Sequence, residues 1–138
     1  MKYWINTVYQ DHVIVGKEGG FVQAGHGKKA SVEKLQPSDY MIFYSPKTSL
    51  ENRTIVQAFT AIAQIKDKDV YQVVINDTFQ PYRKNAVYEE CQEVSIRPLI
   101  EKLDFITNEK HWGLRFRSGL FEIGQHDFEL IYSLMINN

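Results

Sequence analysis

Residues 40–65, YMIFYSPKTSLENRTIVQAFTAIAQI, determine the predicted fold of this chain. Tyr40–Ser45 is a largely apolar run, which is typical of a buried strand, and Pro46 is expected to end it. A polar loop over 47–53 separates it from Ile55–Ile65, the longest strand candidate. Strands this close in sequence are incompatible with a run of βαβ units, which need longer crossovers.

The flanking sequence adds shorter elements on both sides. Predicted strands cover 2–7, 70–75, 86–90 and 119–123, and predicted helices cover 12–17, 95–103 and 124–136. Five to six strands interleaved with short helices predict an α+β fold, in which a mixed sheet curls into a small barrel.

Composition sets the scale of any function. With 138 residues, of which 43% are hydrophobic, the chain is expected to form a single domain over 1–138. Its formal net charge of −1 shows no overall basic bias, whereas a protein that wraps nucleic acid without reading it usually needs a strongly cationic face. Any nucleic-acid contact is therefore expected to be small and local.

Metal, cofactor and membrane signals are weak. Cys91 is the single cysteine, so an intrachain disulfide and a thiolate metal cluster are both excluded. The four histidines are scattered without metal-ligand spacing. We predict no metal and no cofactor. Because neither a secretory signal nor a membrane span is evident, a cytoplasmic protein is expected.

Three short segments place aromatic rings beside hydrogen-bonding side chains where ordered elements end: Trp4–Thr7, Gly19–Gln23 and Phe43–Pro46. A ring beside an amide or hydroxyl can stack a flat heterocycle and read its edge. Candidates for stacking are Phe21 and Tyr44, and candidates for the edge are Asn6, Thr7, Gln23 and Ser45. The alternative is that the rings belong to the core and the polar groups satisfy turns.

Few other residues suggest a site. His26, in a glycine-rich loop, could donate to a ligand, although bracing the loop is the favoured interpretation. Arg117, close to Gly119, is predicted to contact a ligand or close the pocket. The glycines match neither a P-loop nor a dinucleotide fingerprint, and no nucleophile has an evident base. We therefore predict no catalytic residue.

Several segments together resemble the EVE domain family, over nearly the whole chain and in order. They are Tyr3–Asn6, Gly19–Gln23, His26–Lys28, Phe43–Pro46, Gln57–Ala61, Trp112–Gly113 and Phe116–Ile123. The resemblance implies a PUA-like pseudo-barrel related to the YTH readers of methylated adenine, with a pocket for a modified base. It implies pocket residues Asn6, Thr7, Phe21, Gln23, Tyr44 and Ser45, a rim of Pro81 and Arg117, and Phe79 or Tyr82 as a second cage ring.

These observations predict a non-catalytic reader of a modified cytosine or adenine in DNA or RNA. The expected partner is modified nucleic acid, and the chain could act as a monomer. Two alternatives remain at this stage. One is an enzyme that processes a small molecule or nucleotide in the same pocket, using His26 or a lone carboxylate. The other is a protein-interaction module with an exposed aromatic patch.

Overall fold

The structure is a computed structural model that describes residues 1–137, so Asn138 of the predicted domain 1–138 lies outside the described residues. The strands are β1 (Tyr3–Thr7), β2 (Phe21–Val22), β3 (Tyr40–Lys47), β4 (Ile55–Ile65), β5 (Tyr71–Gln72), β6 (Tyr82–Glu89), β7 (Val94–Ser95) and β8 (Leu120–Ile123). The helices are α1 (Gln10–Gly19), α2 (Lys29–Glu33) and α3 (Gln125–Ile136). Single-turn or irregular 3-10 segments cover Gly25–Gly27, Arg97–Leu99 and Glu109–Ser118.

One mixed sheet organises these elements, in the order β2-β6-β4-β3-β1-β8, with β5 paired to β6 and β7 to β4. Strands β1 and β3 pair in parallel, whereas the other pairings are antiparallel. Five strands have four or more residues and three have only two. The predicted α+β fold, a curled mixed sheet with short helices, is confirmed.

The core has two parts because alternate residues of a strand point to opposite faces of the sheet. Ile5 and Ile42 belong to the larger cluster, which packs against α3 and the segment 96–116. Their neighbours Trp4, Met41 and Phe43 belong to the second cluster, which packs against α1 and β2. The second cluster lies on the face of the sheet that carries α1 and β2.

The helices cover the sheet and stay short. The longest of them, α3, has 12 residues and buries Phe128, Ile131 and Met135, as its helical spacing predicted. Within residues 1–137, no helix combines the length and apolar character that crossing a bilayer requires.

The predicted helix 95–103 is wrong, because the structure has only one 3-10 turn there, Arg97–Leu99. Val94 and Ser95 pair with β4, and the Ile96 amide donates to the Gln57 carbonyl. The sheet therefore uses the backbone groups that would have begun the helix.

The strand boundaries also differ from the prediction. β3 continues through Pro46 to Lys47, because the pairing with β4 shifts register between Ser45 and Lys47 and so tolerates a proline. The predicted strand 70–75 is reduced to Tyr71–Gln72. β6 begins at Tyr82 rather than 86, which moves Arg83 from a predicted loop into the sheet.

Candidate functional site

An open cavity of about 520 Å³ lies at the edge of the sheet where β1 and β3 end. Because these two strands are parallel, their C-terminal ends meet at one edge, and Asn6 lies opposite Phe43. The remaining walls come from α1, residues 21–27, β6, the segment around 75–79 and residues 116–119. A volume of this size is within the range of about 300–1,000 Å³ that is usual for small-molecule sites.

Two side-chain amides in the wall have fixed orientations. Asn6 Nδ2 donates to the Gln23 carbonyl at 2.7 Å and lies 3.6 Å from Met41 Sδ. Gln23 Oε1 accepts from Arg83 Nε at 2.5 Å. A backbone carbonyl only accepts and a guanidinium only donates, so neither amide can be flipped without losing its bond.

This arrangement leaves a definite pattern of free groups. Among the hydrogen bonds of residues 1–137, none uses Asn6 Oδ1 or Gln23 Nε2. Thr7 Oγ1 is buried and also has no partner in the described part of the chain. The cavity therefore presents an acceptor, Asn6 Oδ1, and a donor, Gln23 Nε2, to a ligand, whereas the Thr7 hydroxyl is buried and is not exposed to the cavity. A ligand that pairs with the free acceptor and donor gains affinity.

An aromatic pair forms the apolar side of the cavity. The rings of Phe43 and Tyr88 stack with centroids 5.8 Å apart and planes inclined by 13°. The Tyr88 hydroxyl donates to the Phe21 carbonyl at 2.8 Å. Burial raises the pKa of Tyr88 well above its ordinary value, so the phenol stays neutral and holds the ring in place.

Arg83 covers one face of the Phe21 ring. Its Cζ atom lies 3.7 Å from the ring centroid, and its Nε holds Gln23. Phe21 is only 9% exposed. The arginine therefore fixes a ring and an amide of the cavity wall together, and its planar guanidinium is itself a surface on which a base can stack.

The glycine-rich loop closes another side. Gly25, His26 and Gly27 have φ angles of 58°, 60° and 80°, in the left-handed region that disfavours side chains. A Cβ atom on Gly27 would lie 2.4 Å from Pro81 Cβ, so only glycine allows this close packing. His26 holds this strained conformation while its exposed side chain borders the cavity.

The structure brings seven of the ten predicted site residues to this cavity: Asn6, Thr7, Phe21, Gln23, His26, Phe79 and Arg117. The other three lie elsewhere. Tyr44 is buried on the opposite face, stacked on Phe116 at 3.9 Å, and burial raises its pKa to about 12. Ser45 is fully buried, with its hydroxyl 2.8 Å from that of Thr60. Pro81 packs behind Gly27.

Sequence reasoning missed Phe43, Arg83 and Tyr88 as members of the site. Alternation along the parallel pair β1 and β3 could have identified Phe43, because Asn6 and Phe43 lie opposite each other on neighbouring strands. Arg83 and Tyr88 depend on the antiparallel pairing of β2 with β6, which is a long-range contact with no local signal.

Two other features lie outside this cavity. A second cavity of about 260 Å³ lies among residues 105–118 and includes Trp112 and Arg115.

A cluster of potential metal-ligating atoms is formed by Asp104, His126 and Asp127, whose side-chain atoms lie within 4.8 Å of one another. Both carboxylate oxygens of Asp127 accept backbone amide hydrogens, from Asp104 and Phe105, so this cluster braces the segment before α3.

Comparison with solved structures identifies the class of fold. The structure superposes on a crystal structure of an Agrobacterium tumefaciens protein with a TM-score of 0.57 and 11% identity, covering 97% of this chain and 92% of that one. A mutant of the ZmASCH protein from Zymomonas mobilis gives a TM-score of 0.54 at 7% identity, covering 97% and 96%. The fold is that of the PUA-like class of small half-barrels.

Sequence comparison then identifies the family. A UPF0310 protein from Mycolicibacterium gilvum is 49% identical over 135 residues, which are 98% of this chain and 96% of the relative. The EVE domain family model matches residues 2–134. This chain belongs to the EVE domain family, which confirms the resemblance drawn from the sequence.

Proposed function

We propose that this protein binds nucleic acid without catalysing a reaction and takes one modified base into the cavity. The observation that carries this proposal is the combination of a stacked aromatic pair, Phe43 and Tyr88, with two oriented amides in one cavity. A base has a flat apolar face and an edge of donors and acceptors, so it matches both parts of this wall.

The free groups specify the edge that fits. Asn6 Oδ1 takes a hydrogen from the ligand, whereas Gln23 Nε2 gives one. An exocyclic amine beside a ring nitrogen, as in cytosine or adenine, supplies this pair. A modification group would occupy the apolar part of the wall, where Phe79 and Ile75 border the cavity.

The composition of the wall supports a binding role rather than a catalytic one. Among the described residues that line the cavity there is no aspartate, glutamate, cysteine or serine. Its two histidines, His12 and His26, have exposed side chains. A general acid or base usually requires a positioned partner that tunes it, and a nucleophile requires an adjacent base.

Extruding a base from a strand or duplex costs a few kcal/mol, which stacking of about 1–3 kcal/mol and edge hydrogen bonds can offset. The local cations Arg83 and Arg117 add attraction to phosphate without a strongly basic surface. This energy balance agrees with a chain whose formal net charge is −1.

The test is a panel of DNA and RNA oligonucleotides that carry unmodified, methylated-cytosine or methylated-adenine positions at one site. We expect one modified member to bind about fourfold tighter than its unmodified counterpart, because burying one methyl group on the apolar wall contributes about 0.8 kcal/mol. Gln23→Ala is expected to weaken binding of both members, because it removes an edge hydrogen bond that modified and unmodified bases share. Gln125→Ala, which changes an exposed glutamine on α3, is the matched control. Equal affinity across the panel, unaltered by Phe21→Ala with Gln23→Ala, contradicts the proposal.

A further inference from the structure

A hairpin beside the cavity exposes apolar side chains, of which Val74 lies outside the base-binding site. The Val73 amide donates to the Pro81 carbonyl at 2.9 Å, and the Ile75 amide donates to the Phe79 carbonyl at 3.0 Å. Val74 is 68% exposed and Ile75 52%. Exposed apolar side chains grouped on one protruding element mark an interaction surface.

The tip of this hairpin is held in shape by its own turn. Asn76 Oδ1 accepts from the backbone amides of Thr78 and Phe79, both at 2.9 Å, and from the Thr78 hydroxyl. The base of the hairpin packs on the glycine-rich loop, where Gly27 meets Pro81. The tip is therefore pre-organised, so contacts made by it cost little conformational entropy.

Position and charge indicate what the hairpin contacts. Ile75 and Phe79 border the cavity mouth, while Val74 is not part of its lining. Next to the hairpin, Lys28 precedes α2 and Lys29 is its first residue; both are exposed, and neither forms a salt bridge within residues 1–137. The turn itself carries the exposed Asp77, so contact with phosphates falls to the two lysines, and the apolar side chains that flank the turn complement the bases of a polyanion.

We infer that the hairpin Val73–Pro81 binds the nucleotides that flank the base in the cavity. The exposed Val74 and its apolar neighbours beside the turn pack on the neighbouring bases, in the space that the extruded base leaves, and the two lysines bind the phosphates. This inference rests on the proposed function, because the hairpin is needed only if the base arrives as part of a strand. The inference places the rest of the nucleic-acid strand on a surface outside the cavity.

The experiment compares two probes that carry the same methylated base: the free nucleoside and an oligonucleotide of about 12 nucleotides. Val74→Glu is tested against Val87→Glu, which changes a valine on β6 that is 56% exposed and outside the cavity lining. We expect Val74→Glu to weaken oligonucleotide binding about tenfold, since one stacked base contributes that much. Nucleoside affinity is unchanged, and Val87→Glu has no effect on either probe.

The lysines are tested through salt dependence. Lys28→Ala with Lys29→Ala is expected to reduce the slope of log affinity against log salt by about 1.4–1.8, the value for two phosphate contacts. Lys102→Ala with Lys110→Ala, at two exposed positions elsewhere, leaves the slope unchanged. If neither Val74→Glu nor the double lysine variant alters oligonucleotide binding, while the nucleoside still binds, the inference is overturned and the proposed function stands. Wild-type protein that binds neither probe overturns both.

Discussion

The guanidinium of Arg83 lies over the ring of Phe21, with its Cζ atom 3.7 Å from the ring centroid, and its Nε donates to Gln23. One side chain thus determines the orientation of both an aromatic ring and an amide in the cavity wall. Lysine keeps the charge but loses the flat fork that makes both contacts possible.

Arg83→Lys is therefore expected to reduce ligand affinity about fivefold or more, because Gln23 loses the bond that fixes its orientation. The free energy of unfolding falls by only about 0.5–1 kcal/mol, the usual value of an exposed cation–π contact. Isothermal titration and thermal unfolding measure the two effects. Arg115→Lys, which removes a similar contact with Phe121 at 4.1 Å outside this cavity, is the matched control. Equal losses of affinity in both variants would show that Arg83 has no special role.

Gly16 and Tyr88 are predicted to be coupled. A Cβ atom on Gly16 would lie 2.8 Å from the Tyr88 hydroxyl oxygen and 3.0 Å from the Phe21 carbonyl oxygen. Alanine normally stabilises a helix interior relative to glycine by about 1 kcal/mol. Here we expect Gly16→Ala to destabilise the protein by about 1–3 kcal/mol through overpacking. Denaturant unfolding measures the change.

The double variant Gly16→Ala with Tyr88→Phe isolates the cause. Removing the Tyr88 hydroxyl relieves the closest contact. The double variant is therefore expected to lose less free energy of unfolding than the sum of the losses in the two single variants. Gly113→Ala, where a Cβ atom meets nothing within 4 Å, is expected to be neutral. Additive losses in the cycle would show that the Tyr88 hydroxyl is not the obstacle.

Two substitutions of His26 distinguish backbone strain at this position from contact with the ligand. Its φ of 60° costs about 1–2 kcal/mol for a residue with a Cβ atom, so His26→Gly relieves strain that His26→Ala retains. If the imidazole contacts the ligand, both variants lose the same affinity, while only the glycine variant gains stability. Chemical denaturation and ligand titration on the two proteins test this pair. Unchanged affinity in both would leave the histidine a bracing role alone.

The histidine near the start of α3 gives a pH prediction. The hydrogen bond to Asp127 and the charge of Asp104 raise the pKa of His126. The stabilisation from its protonated form is complete below pH about 6.5, the ordinary value, and is lost as pH rises through the raised pKa. A histidine titration followed by NMR is expected to show this pKa, and Asp104→Asn is expected to lower it. A midpoint at the ordinary value in wild-type protein would contradict the assignment.

Local patterns in the sequence predict much of the sheet and part of the site. The run Ile55–Ile65 coincides with β4 to the residue, because its length and apolar content are sufficient by themselves. Asn6 and Thr7 are predicted to end a strand, and they do line the cavity. The segment containing Phe43 is also predicted, but the side of the strand that faces the cavity is not.

That difference has a simple physical origin. Successive side chains of a strand point to opposite faces, so an offset of one residue exchanges Phe43 for Tyr44 and moves the ring from the cavity to the other core. Local sequence patterns could not predict that Arg83 and Tyr88 belong to the site, for a different reason. Only the pairing of Phe21 with Asn85, across more than sixty residues of chain, brings β6 beside the loop that carries Gln23.

The proposed function places a single base in the cavity beside Asn6 and Gln23. The decisive measurement is a crystal structure of the protein with the tightest-binding methylated nucleoside of the panel. We expect a flat ring next to Phe43 and Tyr88, with Asn6 Oδ1 accepting a hydrogen from its edge and Gln23 Nε2 donating one. A nucleoside bound instead at the smaller cavity around Trp112, with the larger cavity empty, would contradict it.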